Sequence, residues 1–512
     1  MKQSTNKTIA KNTLFLYFRM MFTMIVSLYT SRVILEVLGV DDFGLYAVVG
    51  GVVGMLLFLN NALSTGSSRF LTFALGKGDF EQLKRTFSTT LSIHILLSIV
   101  IVLLAETVGL WLVYNKLNIP IERLDAAVFI YHISVLTSII AITQTPYNAS
   151  IISHEKMSIF AYVSIFECLA KLGIVYLITL SDFDKLKSYA LLLCLVQISV
   201  ALFYRYYCIR NYPETHYKPV LDKPILKEIS AFSGWSLFAG GAIALNMQGI
   251  TIITNMFFSP AVVAARALSL QINAQTMAFL NNFRTAVNPQ IVKQYAEGNL
   301  KGSEHLVLET TKYTYYLMLL IALPLLFQTD FILYLWLKNV PEYTVIFSQL
   351  IIIQGLFSVF DTGLYMSFYA KGRLRENALV SPTLGFLCFP LIYLLFKFGY
   401  GPICLSWVFL VYYAVLGLIV KPYLAVKIAN YTVKSIVKMF FSCFKVTFVA
   451  LLIPLILFYV LDEGVVKFLI LTFCCIFTVC MTAYLFGIDN LTRDKVNVYA
   501  KKVVQGCKIK KS

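Results

Sequence analysis

A chain of 512 residues that is 59% hydrophobic and only 13% charged, with a mean hydropathy of +0.76, lies outside the range of soluble domains, which carry about 25% charged residues. Its formal charge of +17 would suit nucleic acid in a hydrophilic protein, but in one this apolar the basic excess belongs to cytoplasmic loops facing anionic lipid, and no nucleic-acid partner is expected. An all-α polytopic membrane protein follows.

The first apolar run, 12–34, can cross a bilayer at about 1.5 Å per residue, and without a small-residue cleavage site behind it, it should remain as a span. Asn12, Arg19, Thr23, Ser27 and Thr30 fall within an arc of roughly 80° on that helix at about 100° per residue. One hydrated stripe therefore carries a guanidinium. A charge at that depth costs at least a few kcal/mol and normally faces a protein interior or a water-filled cavity. Arg32 precedes Glu36 by one turn, and is expected to pair with it, to snorkel to the interface, or to touch substrate.

Further spans are expected at 44–63, 88–113, 126–146, 157–180, 188–208, 232–256, 265–285, 313–337, 343–369, 378–396, 402–420, 441–461 and 465–486, about fourteen transmembrane helices in all. Of the 43 lysines and arginines, Lys116, Arg123, Lys185, Lys187, Arg266, Lys338, Lys397 and Lys467 fall on one side and Arg19, Arg32 and Lys171 inside spans. The rest crowd the other side, which places both termini in the cytoplasm. A weak repeat at an offset of 220 pairs Phe18 with Phe238, Asn61 with Asn281, and Gly78-Asp79-Phe80 with Gly298-Asn299-Leu300. An even number of spans separates the copies, so the halves would be related by an axis along the membrane normal. The expected organisation is a six-helix bundle at 1–210, a cytoplasmic linker at 211–230, a second six-helix bundle at 231–425, two additional helices at 426–490 and a basic cytoplasmic tail at 491–512.

Polar residues inside the spans are the candidates for function. Arg266, Asn273, Asn281 and Arg284 are offset by seven, fifteen and eighteen residues and share one helix face, whereas the repeat partner has Tyr46 and Ser64 where the arginines stand. The scaffold is duplicated while the charges are not, and arginine's planar fork suits a phosphate or diphosphate. Glu167 and Lys171, at i and i+4, read as a self-neutralising pair or as a protonatable switch coupled to an ion gradient. Asp361, Glu106, His94 and His132 are further ionisable candidates. Asp41-Asp42 and Asp182-Phe183-Asp184 support an enzyme alternative, a glycosyltransferase or polymerase holding a metal and a sugar diphosphate. No nucleotide-binding, zinc-protease or serine-hydrolase motif is present, and the ten cysteines have no metal spacing. No catalysis, cofactor or metal is expected. The segments 69–85, 292–312 and 431–445 read as basic amphipathic helices on the inner surface, with anionic lipid as their partner.

The opening Asn12-Thr13-Leu14 with in-span Arg19, the run Leu38-Gly39-Val40-Asp41-Asp42-Phe43-Gly44-Leu45-Tyr46, Ser68-Arg69-Phe70 with Gly76-Lys77-Gly78-Asp79, and Phe258-Ser259-Pro260 give the chain a resemblance. It resembles the Wzx-type O-antigen and polysaccharide flippases of the MOP exporter superfamily, which also contains the multidrug MATE exporters and the lipid II flippase. The resemblance implies two bundles around a central cationic cavity in a bacterial inner membrane. It further implies that an undecaprenyl-diphosphate-linked oligosaccharide is moved from inner to outer leaflet by alternating access, driven by an ion gradient and feeding polysaccharide polymerase machinery. Substrate contacts would fall to Arg19, Arg32, Arg266, Asn273, Asn281 and Arg284, and ion coupling to Glu167, Lys171 and Asp361. A drug or cation exporter of the same fold is the third reading, and it calls for acidic rather than basic cavity residues.

Overall fold

Inside a bilayer no water is present to bond exposed amides and carbonyls, so a chain this apolar must close its hydrogen bonds within helices or a closed barrel. The computed structural model describes residues 21–154, 156–180, 182–220, 222–373, 375–489 and 493–494, and among them there are helices and no strand. They run α1 (Met21–Leu38), α2 (Val40–Leu56), α3 (Phe58–Lys77), α4 (Phe80–Asn115), α5 (Leu124–Ser153), α6 (Met157–Thr179), α7 (Lys185–Asn211) and α8 (223–257, through a π-helical turn at Leu245–Gly249). After these come α9 (Pro260–Ala296), α10 (Leu300–Phe327), α11 (Thr329–Leu337), α12 (Thr344–Lys371), α13 (Arg375–Lys397), α14 (Cys404–Ala429), α15 (Val433–Val460) and α16 (Val465–Gly487). Among the described residues 11 helices are long and apolar enough to cross a membrane, and α2 with α3, bent by 44° at their junction, would make up to 12. The stretches expected to span at 232–256 and 265–285 are helical, within α8 and α9 respectively, and α9 carries the polar stripe.

Contacts divide the chain into two compact units. The first ends at Leu268 and adds Trp336–Thr344 and Ala378–Leu405; the second holds Ser269–Leu335, Val345–Asn377 and the chain from Ser406 onward. The division thus falls within α9 rather than in the 211–230 connection, and α8 packs on α3 and α2 inside the first unit.

In the first unit, α5 packs against α7, α3, α4 and α2. Val48, Val49, Val52 and Val53 of α2 are buried with Ala127, Ile130 and Tyr131 of α5, Leu186 and Ala190 of α7 and Val263 of α9. Gly44 permits the closest approach. A Cβ there would stand 1.9 Å from the Pro260 carbonyl oxygen, so the Asp-Asp-Phe-Gly run and Phe258-Ser259-Pro260 meet only because Gly44 lacks a side chain. One end of the unit gathers Asp42, in the first turn of α2, with Arg123 and Asp184 of two connections through ion pairs. The other gathers those of His154 and Glu214, 2.7 Å apart. These are the groupings the lysine and arginine count requires, so the spans of this unit alternate in direction as read.

The repeat is visible in one local device. Gly78, at φ 72°, ends α3 and Asp79 caps α4 by accepting from the Gln82 amide at 2.9 Å; Gly298, at φ 78°, follows α9 and Asn299 caps α10 by accepting from the Gly302 amide at 3.0 Å. Left-handed glycine followed by an Asx cap is a two-residue helix restart.

The basic segments are not separate surface helices, which corrects that expectation. Residues 69–85 and 292–312 are each split by this restart, and 433–445 opens α15 without a break. With no proline or glycine between Gly302 and Pro324, α10 carries Lys312 inward, where its buried ammonium meets Glu309 at 2.6 Å.

Candidate functional site

The polar stripe on α1 continues into a cavity of the first unit. Thr23, Ser27 and Thr30, with Ser31 of the same helix, face Ser164, Glu167, Cys168 and Lys171 of α6 and Tyr189 of α7 around about 480 Å³. Lys171 Nζ donates to Glu167 Oε1 at 2.6 Å. The Thr30 and Ser31 hydroxyls donate to the Val26 and Ser27 carbonyls at 2.7 and 3.0 Å; each remains able to accept. The structure therefore joins two features the sequence presented separately, the α1 stripe and the Glu167/Lys171 pair. Arg19, the cation of that stripe, lies outside the described residues. Arg32 is half-buried, and neither Glu36, which is exposed, nor any other described residue pairs with it.

At one end of the same unit Arg123 joins its own connection to that of Asp184 and to the first turn of α2. Its Nε donates to Asp42 Oδ1 at 2.9 Å and its Nη1 to Asp184 Oδ2 at 2.7 Å, and Nη2 also reaches Asp42. Lys187 pairs with Asp125 beside it. Two of the acids on which a metal-dependent enzyme would depend are thus held by an arginine. Partial burial pushes the Asp184 carboxyl up, but the Lys187 amide, the Arg123 guanidinium and the Leu186 amide together hold it below the usual aspartate value. A depressed carboxylate contributes stability that is complete above its unfolded pKa, about 3.9, and is lost as pH falls through the folded one. Melting of the detergent-solubilised protein is expected to fall more steeply below about pH 4 in wild type than in Asp184→Asn, whose side chain can still cap α7. Parallel melting curves for the two would remove the clamp from the stability of this end.

The second unit holds the other charged cluster. Lys421, buried at the start of the last turns of α14, forms an ion pair with Asp361 Oδ1 of α12 at 2.9 Å and donates to Asn377 Oδ1. Asp361 also acts electrostatically on Arg284 of α9. Arg284 is half-buried and donates to Asn281, which is exposed; Asn273 is half-buried two turns earlier. Asp361 lies about 15 Å short of the Lys371 end of its helix at 1.5 Å per residue, within hydrocarbon depth.

Arg266, by contrast, is buried in the first unit. Its Nη1 donates to Thr251 Oγ1 at 2.7 Å and to the Met247 carbonyl at 3.4 Å, and its Nη2 to the Asn246 carbonyl at 3.5 Å. Those carbonyls belong to the π turn of α8, where the widened helix leaves acceptors for an outside donor. The four polar residues of α9 therefore share a helix but not a location. Arg266 belongs to the first unit, and Asn273, Asn281 and Arg284 belong to the second.

No protein-family model and no curated protein sequence matches the chain. Solved structures do. The lipid II flippase MurJ in an inward closed conformation aligns with a TM-score of 0.72 at 13% identity, over 92% of this chain and 98% of that one. An inward-facing MATE-family multidrug transporter of the MOP superfamily gives 0.68 at 14%, over 79% and 95%. A MOP-superfamily transporter from Pyrococcus furiosus, described as having a binding pocket of reverse polarity, gives 0.53 at 13%, over 80% and 96%. The chain has the MOP-transporter fold.

Within this MOP fold, two participants went unread in the sequence. Arg123 sits on the side poor in lysine and arginine, where Asp41, Asp42, Asp182 and Asp184 need a counter-charge, and that imbalance was a usable signal. Lys421 gave none. It follows an apolar run directly and reads as a loop cation, because nothing local reveals that a π turn at Leu416–Val420 precedes it and that the helix continues.

Proposed function

We propose that this chain is a flippase that carries an undecaprenyl-diphosphate-linked oligosaccharide, an O-antigen or capsule repeat unit, from the inner to the outer leaflet of a bacterial inner membrane. The observation that carries this reading is the charge balance around Arg284. Its neighbouring carboxylate, Asp361, is already paired with Lys421, so among the described residues this cluster carries one positive charge in surplus. An uncompensated cation there is costly unless an anion or water answers it, and a diphosphate crossing hydrocarbon has the converse need. Within the first unit, the hydroxyl-lined cavity beside α1 suits sugar hydroxyls. Arg32 would add a cation on α1, and Arg19, outside the described residues, is a candidate phosphate contact on the sequence alone. Asn281, and Asn273 beyond it, would bond the cargo beside Arg284, while Arg266 would contribute through the α8 backbone it holds. Glu167 with Lys171, and Asp361, are the groups through which an ion gradient would act. Alternating access of two bundles, with both termini cytoplasmic, would deliver the glycan to polymerase machinery on the far side. The likeness to a lipid II flippase supports this reading through the fold.

The test is translocation in proteoliposomes. Full-length protein should expose a fluorescent undecaprenyl-diphosphate glycan to an external, membrane-impermeant glycosidase under an imposed ion gradient. Transport of organic cations with no movement of the glycolipid would instead favour the exporter reading.

A further inference from the structure

In the second unit a cavity of about 680 Å³ lies among the first turns of α10 and α15 and the end of α16. Both signs of charge line it. Lys312 is bonded to Glu309 Oε1 at 2.6 Å, and Glu304 accepts from the Thr432 amide at 3.2 Å; Asp489 also has a partner. Two kinds of group remain. Lys301, His305 and Lys438 are exposed side chains with no hydrogen bond or ion pair among the described residues. Glu309 Oε2 is buried and receives no donor among the described residues.

We propose that this cavity binds an aminoalkyl phosphate, the chemistry of a phosphoethanolamine head group. The phosphate would bridge Lys301 and Lys438, on facing helices, through charge-assisted hydrogen bonds. The ammonium would give Glu309 Oε2 its missing donor. Glu309 stands about 12 Å along α10 from Lys301 at 1.5 Å per residue, so the group enters ammonium first and the remainder of the molecule leaves by the mouth. An anion alone would satisfy the lysines and leave the buried carboxylate oxygen orphaned, which is why a phosphate without an amine fits less well.

The source is either membrane phosphatidylethanolamine or soluble O-phosphoethanolamine, and the two are separable. In nanodiscs of equal phosphatidylethanolamine and phosphatidylglycerol, native mass spectrometry of full-length protein should show retained phosphatidylethanolamine if the source is lipid. A rise in the melting temperature of delipidated protein with O-phosphoethanolamine, without selective lipid retention, would identify the soluble source. In either arm Lys301→Gln/Lys438→Gln, which alters two exposed side chains, should weaken binding about tenfold, the effect of losing hydrogen bonds to a charged group. Glu309→Gln should abolish the preference for the amine while leaving phosphate binding in place. Equal retention of both lipids together with no response to O-phosphoethanolamine would overturn the assignment. So would a Glu309→Gln protein that keeps the wild-type preference.

Discussion

Lys421→Met should be among the most destabilising single substitutions in the protein. The side chain is 3% exposed and its ammonium is shared between Asp361 and Asn377. Taking one partner out of a buried ion pair costs about 3–5 kcal/mol, because the other charge stays behind without compensation. Asp361→Asn should be damaging for the same reason, since it leaves Lys421 and Arg284 facing no acid within the cluster. Combining the two changes removes both charges of the pair, and the double variant Asp361→Asn/Lys421→Met should melt well above either single variant. Melting of the purified protein in detergent, run as a double-mutant cycle, reads the coupling directly. Additive losses would mean that the two side chains are neighbours without being partners, and the charge balance drawn for Arg284 would then need another carboxylate.

Most of the architecture could be read from the chain because membrane helices obey few rules. Apolar run length located the helices, and the bias of lysine and arginine toward alternate loops fixed their alternation, which the Asp42/Arg123/Asp184 and His154/Glu214 groupings reproduce. The spacing of Thr23, Ser27 and Thr30 identified a hydrated face, and the structure puts a cavity there. What escaped depends on helices failing to follow ideal geometry. A 100° step per residue placed Arg266 and Arg284 on one face of α9, yet it could not reveal that Arg266 is committed to the π turn of α8. Helix continuation was equally opaque. Lys312 and Lys421 both sit at the borders of apolar runs, where a charged residue usually marks a loop, and both are buried and paired. Asp42 and Asp184 invited a metal because composition lists acids without showing which cation stands opposite them.

Arg284→Ala should reduce glycolipid translocation by roughly one to two orders of magnitude, the equivalent of about 1.5–3 kcal/mol for hydrogen bonds to a charged group, while insertion and melting stay near wild type. The stability half of that expectation follows from what the side chain touches. It bonds Asn281, an exposed residue of its own helix, and Asp361 retains Lys421 when it is gone. Arg284→Lys keeps the charge but loses the bidentate fork, so it should recover only part of the rate. Arg19→Ala is expected to behave in the same way if the α1 stripe also meets the diphosphate. A cargo contact and an internal counter-charge part at Arg284→Lys. A counter-charge needs only the cation, so Arg284→Lys would then restore the full rate, whereas a phosphate contact needs the fork and leaves the rate only partly restored. Wild-type rates in Arg284→Ala would exclude that residue from the mechanism outright and with it the observation on which the flippase reading rests.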